Sequence, residues 1–313
     1  MANLHFVTYL TSHWSFDPVI IVMTLTVVAH EVGLRRLSRR SRSASQHTRR
    51  VRSLYFYAGL VLLALAIISP LDYWSDRYFF VHMIDHLFLS FFAPILIVLG
   101  APWVPLMFAL PVKARRAVGR FFYLSSGAVG LRAVGRFLRS PGFALVFFNF
   151  VMVIWHIPRI FDAGESNQVI HIWVMHTSFL IAGVLFFLQI LPSHPMKPAR
   201  GPIWQGGAIL VTNAIMTVLA MAMSIMTSTN WYRVYDHVPG VTMAPFTDQQ
   251  IGAAILWVCG DFWALPLLGL VIRRAVRSER TSGSLSERLF RPHTEQLEIT
   301  PIQRTRRSSK LIK

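Results

Sequence analysis

Seven stretches of this 313-residue chain run apolar for roughly twenty residues each, and that pattern limits the fold more than anything else in it. They fall at about 17–36, 52–69, 79–100, 141–157, 168–191, 203–227 and 249–272. A helix needs about 20 such residues to cross the hydrocarbon core of a bilayer. Only 14% of the residues are charged, against roughly a quarter in soluble domains. The expected fold is therefore all-α: a polytopic bundle of seven transmembrane helices over residues 1–277.

A net charge of +17 invites a nucleic-acid reading until the charges are sorted by loop. Of the 31 Lys and Arg residues, 28 lie on alternate connections, leaving only Arg77, Arg159 and Arg233 on the other side. Cytoplasmic loops carry such an excess, so the amino terminus is expected outside and the carboxyl terminus in the cytoplasm. Topology accounts for the charge, and nucleic acid is set aside as a partner. No basic residue precedes the first apolar run, which reads as a retained span rather than a secretory signal. Cys259 is the single cysteine, so no disulfide framework or paired-thiol metal site is available.

The hexapeptide RAVGRF occurs at 116–121 and again at 132–137. Both copies mix arginine with apolar residues at helical spacing, as interfacial helices do, which marks 112–140 as a basic segment lying on the cytoplasmic surface. Beyond residue 277 the chain turns polar and basic, and 278–313 is expected to be a disordered cytoplasmic tail near anionic lipid. On the outer side, Trp14, Trp74, Trp155 and Trp231 fall near span ends as interface anchors. The long loop 228–248 is expected to fold back over the outer mouth of the bundle.

Span three opens with HMIDH, residues 82–86, so an outside entry puts His82, Asp85 and His86 in its first two turns. Residues four apart share a helical face, which makes His82 and His86 a metal-binding edge with Asp85 as third ligand or orienting acceptor. Span four ends in WHIP with His156, and span five begins HIWVMH with His171 and His176. Five residues on an α-helix turn the chain about 500°, so the last two histidines should point some 140° apart. Imidazole suits copper, zinc and iron, whereas thioether selects copper(I). Met223, with Met216, Met221 and Met226 on span six and Met83, Met152 and Met175 beside the histidines, narrows the expected cargo to copper. Asp248 and Gln249 start span seven, and Asp261 lies near its middle, where a lone carboxylate is a functional candidate. HEVGL at 30–34 is not the zinc-protease motif, because position 34 is leucine. His30 and Glu31 are read as inter-helix contacts.

Taken in order, HMIDH with its apolar run into LGAP, then WHIP, HIWVMH and DQQIGAAILWVCGD resemble the CtaG-type cytochrome c oxidase assembly factors, a seven-span family linked to caa-type oxidases. The resemblance covers about residues 52–275. It implies a non-catalytic protein of the bacterial plasma membrane, needed to assemble a haem–copper oxidase and delivering copper to its buried centre. The motif positions carried over are His82, His86, His156, His171, His176, Asp248 and Gln249. The expected partners are an oxidase subunit in the membrane and the lipid bilayer. Two other roles fit the same residues: a copper transporter with His30, Glu31 and Asp261 as later stations, and a histidine-ligated haem protein.

Overall fold

A computed structural model describes residues 12–39 and 46–282, and among them every regular element is helical. The expected tail, 278–313, lies almost wholly outside the described residues. The chain divides into two compact units, Met1–Val271 and Ile272–Lys313. Of the second, the end of the last long helix is described, to Ser282.

The first unit begins with α1, Val19–Ser38, and α2, Gln46–Ile68. A short helix α3, Pro70–Ser75, leads into the long α4, Phe79–Gly100. Then follow α5, Trp103–Ala109; α6, Val112–Leu124; α7, Val129–Leu138; and α8, Pro141–Ile154. The short α9, Pro158–Glu165, precedes α10, Ile170–Phe187, then α11, Pro202–Ser224, and finally α12, Pro245–Ser282. Several starts are written locally. Ser69 and Ser140 each accept a backbone N–H two or three residues on, with proline at the first helical position of α3 and α8.

Five of these helices are long and apolar enough to span a membrane, and a sixth span results if the bent pair Ser126–Leu138 and Pro141–Ile154 is counted as one. The sequence reading counts seven. The difference has two causes. Helix α1 carries Glu31, Arg35 and Arg36 in its second half, so its apolar run is cut short. Helix α8 has 14 residues, about 21 Å at 1.5 Å per residue, and meets the preceding helix at 67°.

α4 is the axis of the packing. It lies along α2 on one side and α10 on the other, while α8 backs α10, and α1 pairs with α5. The α4–α10 contact is backbone to backbone at one point: a Cβ on Gly183 would stand 2.4 Å from the carbonyl oxygen of Ser90. Close approach of this kind needs a residue without a side chain. Around it Phe91, Phe148, Phe179, Phe186, Phe187 and Trp263 form a buried aromatic layer, with Phe148 and Phe186 stacked at 4.6 Å. The two RAVGRF copies lie on α6 and α7, neither of which buries a residue.

Replacing Gly183 with leucine should force α4 and α10 apart and destabilise the fold by about 1–3 kcal/mol or more, as overpacked cores do. Thermal unfolding of the detergent-solubilised protein checks this, with Gly201→Leu, at a glycine with open space around it, as the silent control.

Candidate functional site

The end of α4 that begins at Phe79 brings three titratable side chains into the bundle at once. His82, Asp85 and His86 are all essentially without solvent exposure. Four residues apart on α-helix, the two imidazoles face the same way, with ring centroids 4.1 Å apart.

α10 supplies the next pair by different means. Its first seven residues, Ile170–His176, are π-helical. The expected 140° divergence of His171 and His176 assumes α-helix; in a π-turn the hydrogen bond runs from i to i+5, so residues five apart lie over one another. Their ring centroids are 4.2 Å apart. His171 stacks on His82 at 5.2 Å with the rings 17° from parallel, and His176 lies 6.2 Å from His86. A second π-helical stretch, Phe88–Phe92, follows the histidines of α4.

His156, just beyond the last residue of α8, completes the set with its ring 5.8 Å from His86. Its Nδ1 contacts the carbonyl oxygen of Met152 at 2.5 Å. A carbonyl can only accept, so Nδ1 carries the proton and Nε2 keeps its lone pair. That is how a ligating imidazole is usually oriented.

The residue that sequence reasoning missed is Glu165. It ends α9, buried, with Oε2 3.5 Å from both His82 Nδ1 and His171 Nε2. One donor atom from each of His82, Glu165 and His171 falls within 4.8 Å of the others, the spacing of a metal-binding group. The available signal was a carboxylate six residues ahead of HIWVMH, in a connection whose depth the hydropathy pattern does not fix.

Hydrogen-bonding capacity is left over on a large scale. Both ring nitrogens of His82, His86 and His176, Nε2 of His156 and His171, and both oxygens of Glu165 and Asp85 have no hydrogen-bond partner among the described residues. Buried polar groups are normally paired, and clusters of exceptions mark an ion, a water or a reactive site. Asp85 is fully buried but belongs to no metal-binding group of three.

The remaining candidates hold the site rather than line it. Asp248 accepts the backbone N–H groups of Phe79 and Phe80 at 2.8 and 2.9 Å, so it caps α4 from across the chain. Gln249 donates to the carbonyl of Met223 and accepts from Trp231 N–H. Met223 is buried, and its sulfur lies 3.2 Å from the Tyr232 hydroxyl, which also reaches the His156 carbonyl at 3.1 Å. Tyr232 stacks on Phe79 at 4.5 Å and packs against Phe161 at 4.4 Å, and Phe161 in turn lies 4.9 Å from His82. Tyr235 donates to the Ser75 carbonyl. The segment around 231–235 thus folds over the histidine end of α4. Asp261 stands apart: it is exposed on α12, with Asn213 donating to it at 3.4 Å.

Carboxyl groups in the connections outside the spans are pushed toward their neutral forms. Burial, and then the charges of Asp76, Glu165 and Asp17, raise Asp72 to about 8. Burial raises Glu165 to about 7, against the opposing pull of His171. A carboxyl with a raised folded-state pKa keeps its proton where the unfolded chain has lost it, so stability grows as pH falls through that value. Asp72 should therefore add stability at pH 5.5 that is largely lost by pH 8.5, so Asp72→Asn should raise the unfolding temperature relative to the unchanged protein more at pH 8.5 than at pH 5.5; thermal unfolding in detergent at the two pH values measures it.

The family model described as cytochrome c oxidase caa3 assembly factor matches residues 28–278, a stretch that holds every histidine of the cluster and Glu165. Uncharacterized proteins of Mycobacterium bovis and Mycobacterium tuberculosis are each 25% identical over 286 residues, covering 88% of this chain and 41% of their own length. An uncharacterized protein of Mycobacterium leprae is 26% identical over 305 residues, covering 87% and 42%. The chain thus spans about two fifths of the length of the curated relatives it matches. No solved structure matches.

Proposed function

The chain belongs to the cytochrome c oxidase caa3 assembly factor family, and we propose that it serves oxidase assembly by holding copper in the buried histidine–carboxylate cluster and passing it to an oxidase subunit in the same membrane. The observation that carries this reading is the set of unpartnered donor atoms on five histidines and Glu165, gathered from α4, α8, α9 and α10 into one buried place. Buried polar atoms that the chain itself does not hydrogen-bond are costly unless a ligand supplies the missing partner.

The donors fit a transition metal. His82, Glu165 and His171 would take the first positions, with His86 and His176 one ring away. Nitrogen and oxygen donors of this kind bind copper most tightly among the divalent first-row metals. Sulfur assistance is the weaker part of the reading, since the Met223 thioether already faces the Tyr232 hydroxyl. A non-catalytic role suits a family of assembly factors. The charge asymmetry of the loops supports a histidine end on the outer side of a bacterial plasma membrane, an orientation that takes the expected seven crossings to leave the carboxyl terminus in the cytoplasm.

Other features weigh on the two competing roles. A transporter needs a polar path beyond the cluster, but Phe179 packs 4.4 Å from His86 and the aromatic layer follows it. His30 and Glu31 bond to Tyr57 at the far end of the bundle, and Asp261 faces outward. A haem needs imidazoles set apart on either face of a flat macrocycle, whereas these rings pack edge to face at 4.1 and 4.2 Å.

Purified protein titrated with copper(I), copper(II) and zinc tests the reading. Copper should bind at about one equivalent, and His82→Ala/His86→Ala and Glu165→Gln should each weaken it at least tenfold. Affinity should rise between pH 6 and 8, since ligands must shed their protons to bind metal. Unchanged affinity in both variants would sink the site. In cells, deletion should lower oxidase activity while total copper stays level; a matching fall in copper content would favour transport.

A further inference from the structure

The end of the bundle away from the histidines holds a second kind of site. Gly100 ends α4, 18 residues from His82, so about 27 Å of helix separates the two regions. There α1 and α2 border two adjoining open clefts of about 520 and 550 Å³, which share Leu34, Arg49 and Ser53. Each is within the size range of small-molecule and cofactor pockets.

Their walls divide by chemistry. Arg49 and Arg52 line the first cleft, and Arg35, Arg49 and Arg50 line the second. Thr48 and Gln46 bring in the first turn of α2, a helix of 23 residues whose amide end carries partial positive charge. Glu31 is the sole carboxylate among the lining residues, and it is already taken, accepting a hydrogen bond from the Tyr57 hydroxyl. Tyr57 in turn accepts from His30 Nδ1 at 2.8 Å. The apolar part of the lining is formed by Leu34, Leu37, Val104 and Pro105.

From this we infer that the crevice between α1 and α2 binds a phosphate-bearing anion, with guanidinium groups on the phosphate and the leucine wall against an apolar tail. Loop charge alone explains why arginines lie at this end of the molecule. It does not explain why four of them line one crevice together with leucine, valine and proline side chains. Guanidinium forks match phosphate oxygens two at a time, and basic pockets between membrane helices are where anionic headgroups bind. The same phosphate chemistry could come from a phospholipid headgroup or from free inorganic phosphate. The apolar wall favours the lipid. This inference does not depend on the copper reading, since no residue is shared between the two sites.

The test uses the full chain, delipidated in neutral detergent, with two probes. Phosphatidylglycerol is added and retention is read by native mass spectrometry, with phosphatidylcholine as the uncharged comparison. Inorganic phosphate is followed separately by equilibrium dialysis. Phosphatidylglycerol should be retained at about one per chain, and Arg49→Gln/Arg52→Gln should weaken retention at least tenfold. Arg116→Gln/Arg120→Gln, which removes two exposed charges from α6, should leave it within twofold. Leu37→Trp, filling the first cleft while keeping every charge, should also displace the lipid, so the outcome does not rest on one variant folding. Arginine-dependent binding of inorganic phosphate alone would keep the site and assign it to the free anion. Equal losses in the two arginine variants would reduce it to surface charge, and no binding of either probe would overturn it.

Discussion

A polar atom buried inside a protein needs a hydrogen-bonding or ligating partner, and this molecule gathers many such atoms that its own chain does not hydrogen-bond. Five imidazoles and the Glu165 carboxylate are drawn from four helices and their ends into one buried volume. Nothing in ordinary packing favours that arrangement, because each group would be better hydrated outside or replaced by an apolar side chain. Its persistence requires that the surrounding structure leave the rings no other place to go.

Three devices do this. Asp248 fastens the first turn of α4 through two backbone amides, so the histidine pair enters the bundle at a fixed height. Gly183 lets α10 lie directly on the α4 backbone just below, which sets the distance between the two histidine pairs. The π-turn at Ile170–His176 then rotates His176 back over His171. π-turns are unfavourable locally and tend to occur at functional sites; here the gain is one face shared by two rings five residues apart.

Much of this was legible in the amino-acid sequence, and the limits have physical causes. Membrane helices announce themselves by length and apolarity, and the histidines of α4, α8 and α10 could be brought to one level by counting from the span ends. What counting could not supply was conformation and depth off the regular elements. His171 and His176 appear divergent under an α-helical period, and only the change of helix type reconciles them. Glu165 belongs to a connection between spans, where hydropathy gives no position, so its carboxylate went unnoticed beside the histidines it meets. Asp248 and Gln249 stand out in the sequence as polar residues at a span end, and their bonds in the structure are to backbone groups of neighbouring elements. Asp261 shows the opposite limit: a carboxylate within a span is conspicuous in sequence, yet which way it faces depends on helix rotation alone.

The covering segment at Trp231–Tyr235 is tied down at separate points: to Gln249 on α12, to Met223 on α11, to the His156 carbonyl beyond α8 and to Ser75 on α3. Lifting it cannot be the swing of one hinge, since each tether belongs to a different part of the chain. Access from that side amounts to a small cooperative unfolding, with a free energy set by the sum of those bonds and the stacked rings beneath them. Traffic through such an opening is slow and infrequent. A protein made this way suits a job done once for each client molecule rather than a steady flux.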